Sequence, residues 1–179
     1  MIPIYLNPAM LRIALVGRGP LAARRLSWLR VGGAAPDVWT DAAGDDLPAT
    51  HACLPGESAL DRYHAVWIAG LSPEEAEPLV AAARKLGVLV NSEDQIEFCD
   101  FHTPAVVRRG KLTLAAGTGG ASPAVARAAR QQLEQAFPTS WEGALDDIAS
   151  ARAVLRESGA NFDALIADAR ARLVQHGLA

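Results

Sequence analysis

Apolar residues along this chain fall into two kinds of pattern. Leu11–Val16, Ala65–Ala69 and Val88–Val90 are short apolar runs, the mark of strands covered on both faces. Elsewhere apolar residues recur at helical spacing. Ala76, Leu79, Val80, Ala83 and Leu86 form one such stripe. Ser72-Pro73-Glu74-Glu75 opens it, with Ser72 as N-cap, Pro73 at the first helical position and Glu75 closing a capping box; Gly87 ends it. Leu21–Val31 has helical composition, and Asp37–Thr40 reads as a second strand. Ile2–Leu6 reads as a short edge strand, and His51–Leu54 as a short strand within the loop-like Gly44–Pro55. The order β-α-β-(β)-β-α-β predicts an α/β fold with a doubly wound parallel sheet.

Past Gly87 the pattern changes. Pro104–Arg109 and Lys111–Ala116, joined at Gly110, read as a strand pair or hairpin. Ser122 caps a helix that starts at Pro123 and carries the stripe Val125, Ala129, Leu133 and Ala136. Trp141–Glu157 and Phe162–Gln175 read as two further amphipathic helices, separated by Gly159, with Asn161 capping the second. This tail has no strand signal, which predicts a small helical subdomain.

Composition narrows the function. Half of the 179 residues are apolar and 21% are charged, enough for a packed core. A net charge of −3 argues against a nucleic-acid footprint. Cys53 and Cys99 lie far apart and fit neither a metal-ligand spacing nor a disulfide scaffold, so no permanent metal site and a reduced, cytoplasmic compartment are expected. The start, MIPIYLNPAMLR, lacks a charged stretch followed by a long apolar run and is not expected to act as a signal peptide. No stretch approaches the ~20 apolar residues of a membrane span.

Two polar clusters follow apolar runs, where ligands of open α/β sheets bind. After Leu11–Val16 comes Gly17-Arg18-Gly19-Pro20-Leu21-Ala22. This is G-x-G-x-x-A between a strand and a helix, the context of a dinucleotide fingerprint. The first glycine permits the turn, the second admits a pyrophosphate, and the helix start offers free N–H groups. The same spacing also suits a plain tight turn. Asp41 ends the second strand 24 residues after Gly17, near the offset of an acidic residue on a ribose 2′-hydroxyl; an ordinary loop aspartate is the alternative. Thr40 and Ala42 beside it, with Ala69 and Gly70 at the end of the third run, complete the expected NAD lining. The second cluster is Asn91-Ser92-Glu93-Asp94 after Val88–Val90, and Gly117-Thr118-Gly119-Gly120 follows Leu112–Ala116. The acidic cluster and the glycine-rich helix entry are suited to one ligand.

Together these pieces resemble the precorrin-2 dehydrogenase and sirohydrochlorin ferrochelatase family, the N-terminal module of sirohaem synthases. The resemblance runs over nearly the whole chain: Pro3-Ile4-Tyr5-Leu6, Val16–Arg25 (VGRGPLAARR), Val90–Gly110 (VNSEDQIEFCDFHTPAVVRRG) and Thr118–Arg127 (TGGASPAVAR). It implies a Rossmann domain over 1–110, a dimerisation region over 111–140 and a C-terminal helical domain over 141–179. It also implies a homodimer that oxidises precorrin-2 to sirohydrochlorin with NAD and inserts ferrous iron as a substrate. Single-activity dehydrogenases or chelatases, and a nucleotide-sensing dimer, are the alternatives. Uroporphyrinogen methylation then falls to a separate methyltransferase.

The family's shared catalytic aspartate matches Asp94, which is expected to accept the protons that oxidation and metal insertion release; the other reading of Asp94 is a cap on a following helix. For the carboxylate-rich tetrapyrrole the expected binding residues are Asn91, His102, Thr118, Gly119, Gly120 and Ser122. His102 reads either as a carrier of iron or protons or as a structural hydrogen-bonder. There are two departures. Arg18 stands where the family often has a small residue, and Ala69-Gly70-Leu71-Ser72 where an Ala-Thr-Asp-Asp-like stretch is common. The first crowds the pyrophosphate or brings it a cation; the second removes a polar edge near the nicotinamide.

Overall fold

The computed structural model describes residues 1–178. They form two compact units, Met1–Thr103 and Pro104 onward.

The first unit is a parallel sheet of β1 (Ile13–Gly17), β2 (Asp37–Trp39), β3 (Ala65–Ala69) and β4 (Leu89–Ser92), in the order β2-β1-β3-β4. The two central strands are buried at every residue, which explains their unbroken apolar runs. Alternate residues then supply two separate cores. Ala14, Val16, Val66, Ile68 and Val90 face one side, with Ala76, Val80 and Ala83 of the helix α3 (Pro73–Lys85) and Leu60 of the short helix α2 (Glu57–Leu60). Ile13, Leu15, Val38, Ala65 and Trp67 face the other, with Ala22, Leu26 and Leu29 of α1 (Gly19–Val31). The chain leaves β1 toward β2, then crosses back to β3 and β4. That reversal creates a switch point between β1 and β3 at the carboxyl edge, where such sheets open a crevice.

The capping box at Ser72 forms as expected: Ser72 Oγ accepts from Glu75 N and Glu75 Oε2 accepts from Ser72 N. Two expected strands do not form. Ile2–Leu6 is exposed coil followed by one tight turn at Pro8–Met10; Pro3 has no N–H to give a ladder. His51 makes only an isolated bridge to Trp39, and its ring stacks on the Trp39 ring at 3.8 Å.

In the second unit β5 (Ala105–Arg109) pairs antiparallel with β6 (Leu112–Ala116). Gly110, at φ 55°, makes the turn. Helices α4 (Pro123–Ala136), α5 (Ser140–Glu157) and α6 (Phe162–Gln175) follow. Ser122 and Asn161 cap α4 and α6 through side-chain oxygens. Arg109 donates to the carbonyls of Phe137 and Glu134 at the end of α4, so its charge serves the helix terminus. Only Val107 and Ala144 are fully buried apolar residues among those described in this unit. No helix of the described residues is long and apolar enough to cross a membrane.

Candidate functional site

All four strands of the first unit end at one edge of the sheet, and most of the expected site residues gather there. The turn after β1 is built by two loops that interlock. A Cβ on Gly17 would lie 1.8 Å from the Ala69 carbonyl oxygen, and one on Gly70 would lie 2.1 Å from the Arg18 carbonyl oxygen. The Arg18 N–H donates to the Ala69 carbonyl at 3.1 Å. Gly17, Ala69 and Gly70 were expected to line the cofactor; here they lock β1 against β3, with Ala69 buried.

Gly19 behaves differently. It takes φ 63°, and a Cβ there would meet nothing within 4 Å. It begins α1, whose N-cap Arg18 supplies no side-chain hydrogen bond. The helix therefore opens with uncapped N–H groups beside empty space, next to exposed Pro20 and half-buried Leu21. That is the form of an anion cradle, and it fits a dinucleotide pyrophosphate.

At the end of β2 the expected residues divide. Thr40 is fully buried, and its hydroxyl accepts from Ala42 N. Its side chain braces the turn from within the core. Asp41 is exposed, but both its oxygens are engaged. Arg18 donates to them through Nε at 2.5 Å and Nη2 at 2.8 Å, and through Nη1 to Glu75 Oε1 at 2.6 Å. These bonds hold the Asp41 and Glu75 carboxyls below the usual carboxylate range and raise Arg18 above its ordinary value. Glu75 is the residue that sequence reasoning missed here. Its capping role was visible; its bond to an arginine 57 positions away was not.

After β4 comes a tight turn that presents Asp94. Ser92 O accepts from Gln95 N at 3.4 Å, and Ser92 Oγ donates to Gln95 Oε1 at 2.7 Å. Gln95 is buried and donates to Leu71 O at 3.4 Å. Glu93 continues the ladder through its N–H to Ile68 O at 2.9 Å. Its carboxylate, only 9% exposed, lies 2.5 Å from Arg24 Nη2 and 3.3 Å from Arg25 Nη2. Between these anchored neighbours Asp94 is exposed and takes φ 63°, the one left-handed residue other than glycine among those described. Such strained positions persist only where the surroundings enforce them, and they concentrate at functional sites. The helix-cap reading of Asp94 finds no support, because the one-turn helix Ile96–Phe98 has Gln95 at its N-cap.

Asn91, expected on the substrate, is buried and donates to the Phe101 carbonyl at 2.9 Å. It pins the returning segment against β4. Cys99 helps: its thiol, pushed up by burial, donates to Ser92 O at 3.1 Å. His102 is half-buried just before the end of this unit. In the second unit, Thr118 donates its hydroxyl to Ser122 O at 3.2 Å, and Ser122 Oγ accepts from Val125 N. Both side chains brace the loop. Gly119 and Gly120 take φ 64° and 85°. Among the described residues no group of three or more His, Cys, Asp or Glu is placed to hold a metal ion.

A uncapped helix behind an open glycine, at the switch point of a doubly wound sheet, defines a dinucleotide-binding fold. Residues 4–105 match the family described as "Putative NAD(P)-binding", and the chain belongs to that family. Its similarities go further. It is 32% identical over 151 residues to a sirohaem synthase of Nitrosococcus oceani, covering 78% of this chain and 32% of that protein. A sirohaem synthase of Halorhodospira halophila matches at the same identity and length, with 30% of that protein covered. The chain thus spans about a third of the length of these curated relatives. The fold is also that of SirC, a precorrin-2 dehydrogenase, at a TM-score of 0.71 and 19% identity over 99% of both chains.

Proposed function

We propose that this chain oxidises precorrin-2 to sirohydrochlorin with NAD and then inserts ferrous iron, with Asp94 as base in both steps. The observation that carries this reading is the exposed Asp94 carboxylate, held left-handed at the edge that also carries the open Gly19 turn. The names of the sirohaem synthases and of SirC support the substrate class.

The roles follow from the residues present. The N–H groups at the start of α1 receive the pyrophosphate, with Gly19 leaving room for it. Asp41 accepts from a ribose hydroxyl. NAD, when bound, supplies the hydride acceptor. Asp94 takes the proton lost from the macrocycle in the same oxidation. In metal insertion two pyrrole N–H protons must leave as the dication enters, and Asp94 accepts them one at a time, releasing each to water. A fixed turn suits this task, because a base acts only from a held position.

We also propose a homodimer. The second unit leaves Val125, Val154, Phe162, Ile166 and Val174 exposed, and a second copy of this chain would cover them. Light scattering on the purified protein tests this; a monomer at working concentration rejects it.

The functional test is anaerobic visible absorbance of the protein with NAD and precorrin-2, followed by ferrous iron. The expected result is conversion to sirohydrochlorin and then to sirohaem, with both steps lost in Asp94→Ala. Conversion in one stage only would leave a single-activity enzyme. Binding of NAD with no conversion would leave a nucleotide-sensing protein. Unchanged activity in Asp94→Ala would reject the base.

A further inference from the structure

The arginine in the fingerprint turn is a chemical oddity, since a cation beside a ribose site ordinarily recruits a phosphate. Resting on the dinucleotide reading above, we propose that Arg18 is the residue that sets the choice between NAD and NADP, and that Asp41 and Glu75 hold it in the state that selects NAD.

The geometry gives the reason. Arg18 spends three N–H groups on two carboxylates, two of them on Asp41 as a bidentate pair. Two carboxylates against one guanidinium leave this trio one negative charge. A carboxylate has about four acceptor lone pairs, so Asp41 retains capacity for a 2′-hydroxyl while Arg18 stays in place. The guanidinium meanwhile neutralises Asp41, and its bidentate grip fixes the orientation of that carboxylate. A 2′-phosphate has no such option. It meets the net negative charge and must win Arg18 away from both partners at once. The arginine is thus a latent phosphate receptor, kept engaged by the acidic residues around it. Its place in the turn is also fixed from below, because its N–H and carbonyl are locked against the Ala69–Gly70 loop. Removing the Asp41 charge therefore leaves the guanidinium paired with Glu75 alone, without moving the backbone that carries it.

The experiment is calorimetric titration of NAD and NADP into the wild-type protein, Asp41→Asn, Glu75→Gln, and Asp41→Asn combined with Arg18→Ala. Circular dichroism checks that each is folded. The wild type is expected to bind NAD about tenfold or more tightly than NADP. Asp41→Asn should tighten NADP by about tenfold, and Glu75→Gln should do so more weakly, because one of three bonds is loosened. Adding Arg18→Ala to Asp41→Asn should abolish the gain. An equal gain for NADP with and without Arg18 would show that loss of repulsion is sufficient, and would overturn the proposal, as would a wild type that prefers NADP. Binding of neither dinucleotide by the wild type would overturn the dinucleotide reading and this inference together. Binding of NAD with an unaltered ratio in every variant would overturn only the role of Arg18.

Discussion

Replacing Gly19 by alanine separates a glycine shaped for a ligand from one shaped for the chain. Nothing lies within 4 Å of a Cβ built on Gly19. Alanine there costs the fold only its left-handed backbone at φ 63°, roughly 1–2 kcal/mol. For a chain of this size that is a fall in Tm of about 2–4 °C per kcal/mol. Gly17→Ala is the control of opposite kind. Its Cβ would sit 1.8 Å from the Ala69 oxygen and 2.8 Å from the carbonyl carbon, so the ends of β1 and β3 must part. Overpacking on the order of 1–3 kcal/mol and loss of the Arg18–Ala69 hydrogen bond, about 1 kcal/mol, come on top of any backbone strain. Thermal unfolding followed by circular dichroism measures both variants, and calorimetric titration with NAD measures binding. Gly19→Ala should melt no more than about 2–8 °C below the wild type and bind NAD at least about tenfold more weakly, equivalent to 1.4 kcal/mol. Gly17→Ala should lose the larger share of stability. If Gly19→Ala binds NAD as the wild type does, the turn is not a pyrophosphate cradle.

Other outcomes follow from the same geometry. Asp94→Gly relieves the left-handed backbone, so Tm should stay level or rise by the equivalent of up to about 1 kcal/mol, while precorrin-2 oxidation is lost; a marked fall in Tm would show that the side chain supports the fold. Glu93→Ala leaves Arg25, whose side chain is 13% exposed, without its counter-ion, and should cost about 2–3 kcal/mol in denaturant unfolding; a change within error would mean that the buried pair does not hold this turn. Asp41 and Glu75 ionise at lower pH in the fold than in the unfolded chain, Asp41 through Arg18 and Glu75 through Arg18 and then the Ser72 N–H. Their pairing therefore stabilises the protein above the ordinary carboxylate range and fades as pH falls through the lowered values. In Arg18→Ala, carbon-13 titration of the two carboxyls should move upward, more for Asp41 than for Glu75. An unmoved Asp41 curve would refute the pairing.

The sequence alone determined the doubly wound order, the capping box at Ser72, the hairpin around Gly110 and the caps at Ser122 and Asn161. Each is a local matter: unbroken apolar runs need two covered faces, and a cap reads a backbone donor three residues away. It also marked the turn after β1 and the exposed aspartate after β4, because both are short motifs at strand ends. Tertiary structure decided which residues of those motifs face outward. Gly17 and Gly70 lie 53 positions apart yet interlock, so one fingerprint glycine serves packing and only Gly19 remains open. Asn91 and Thr40 look like ligand-binding polar residues in the sequence, but buried polar groups must find partners, and theirs are the Phe101 carbonyl and the Ala42 N–H. The tie from Arg18 to Asp41 and Glu75 joins three elements across the sheet edge. No periodicity along the chain encodes it, because the distance between those charges is set only once β1, β2 and α3 have packed.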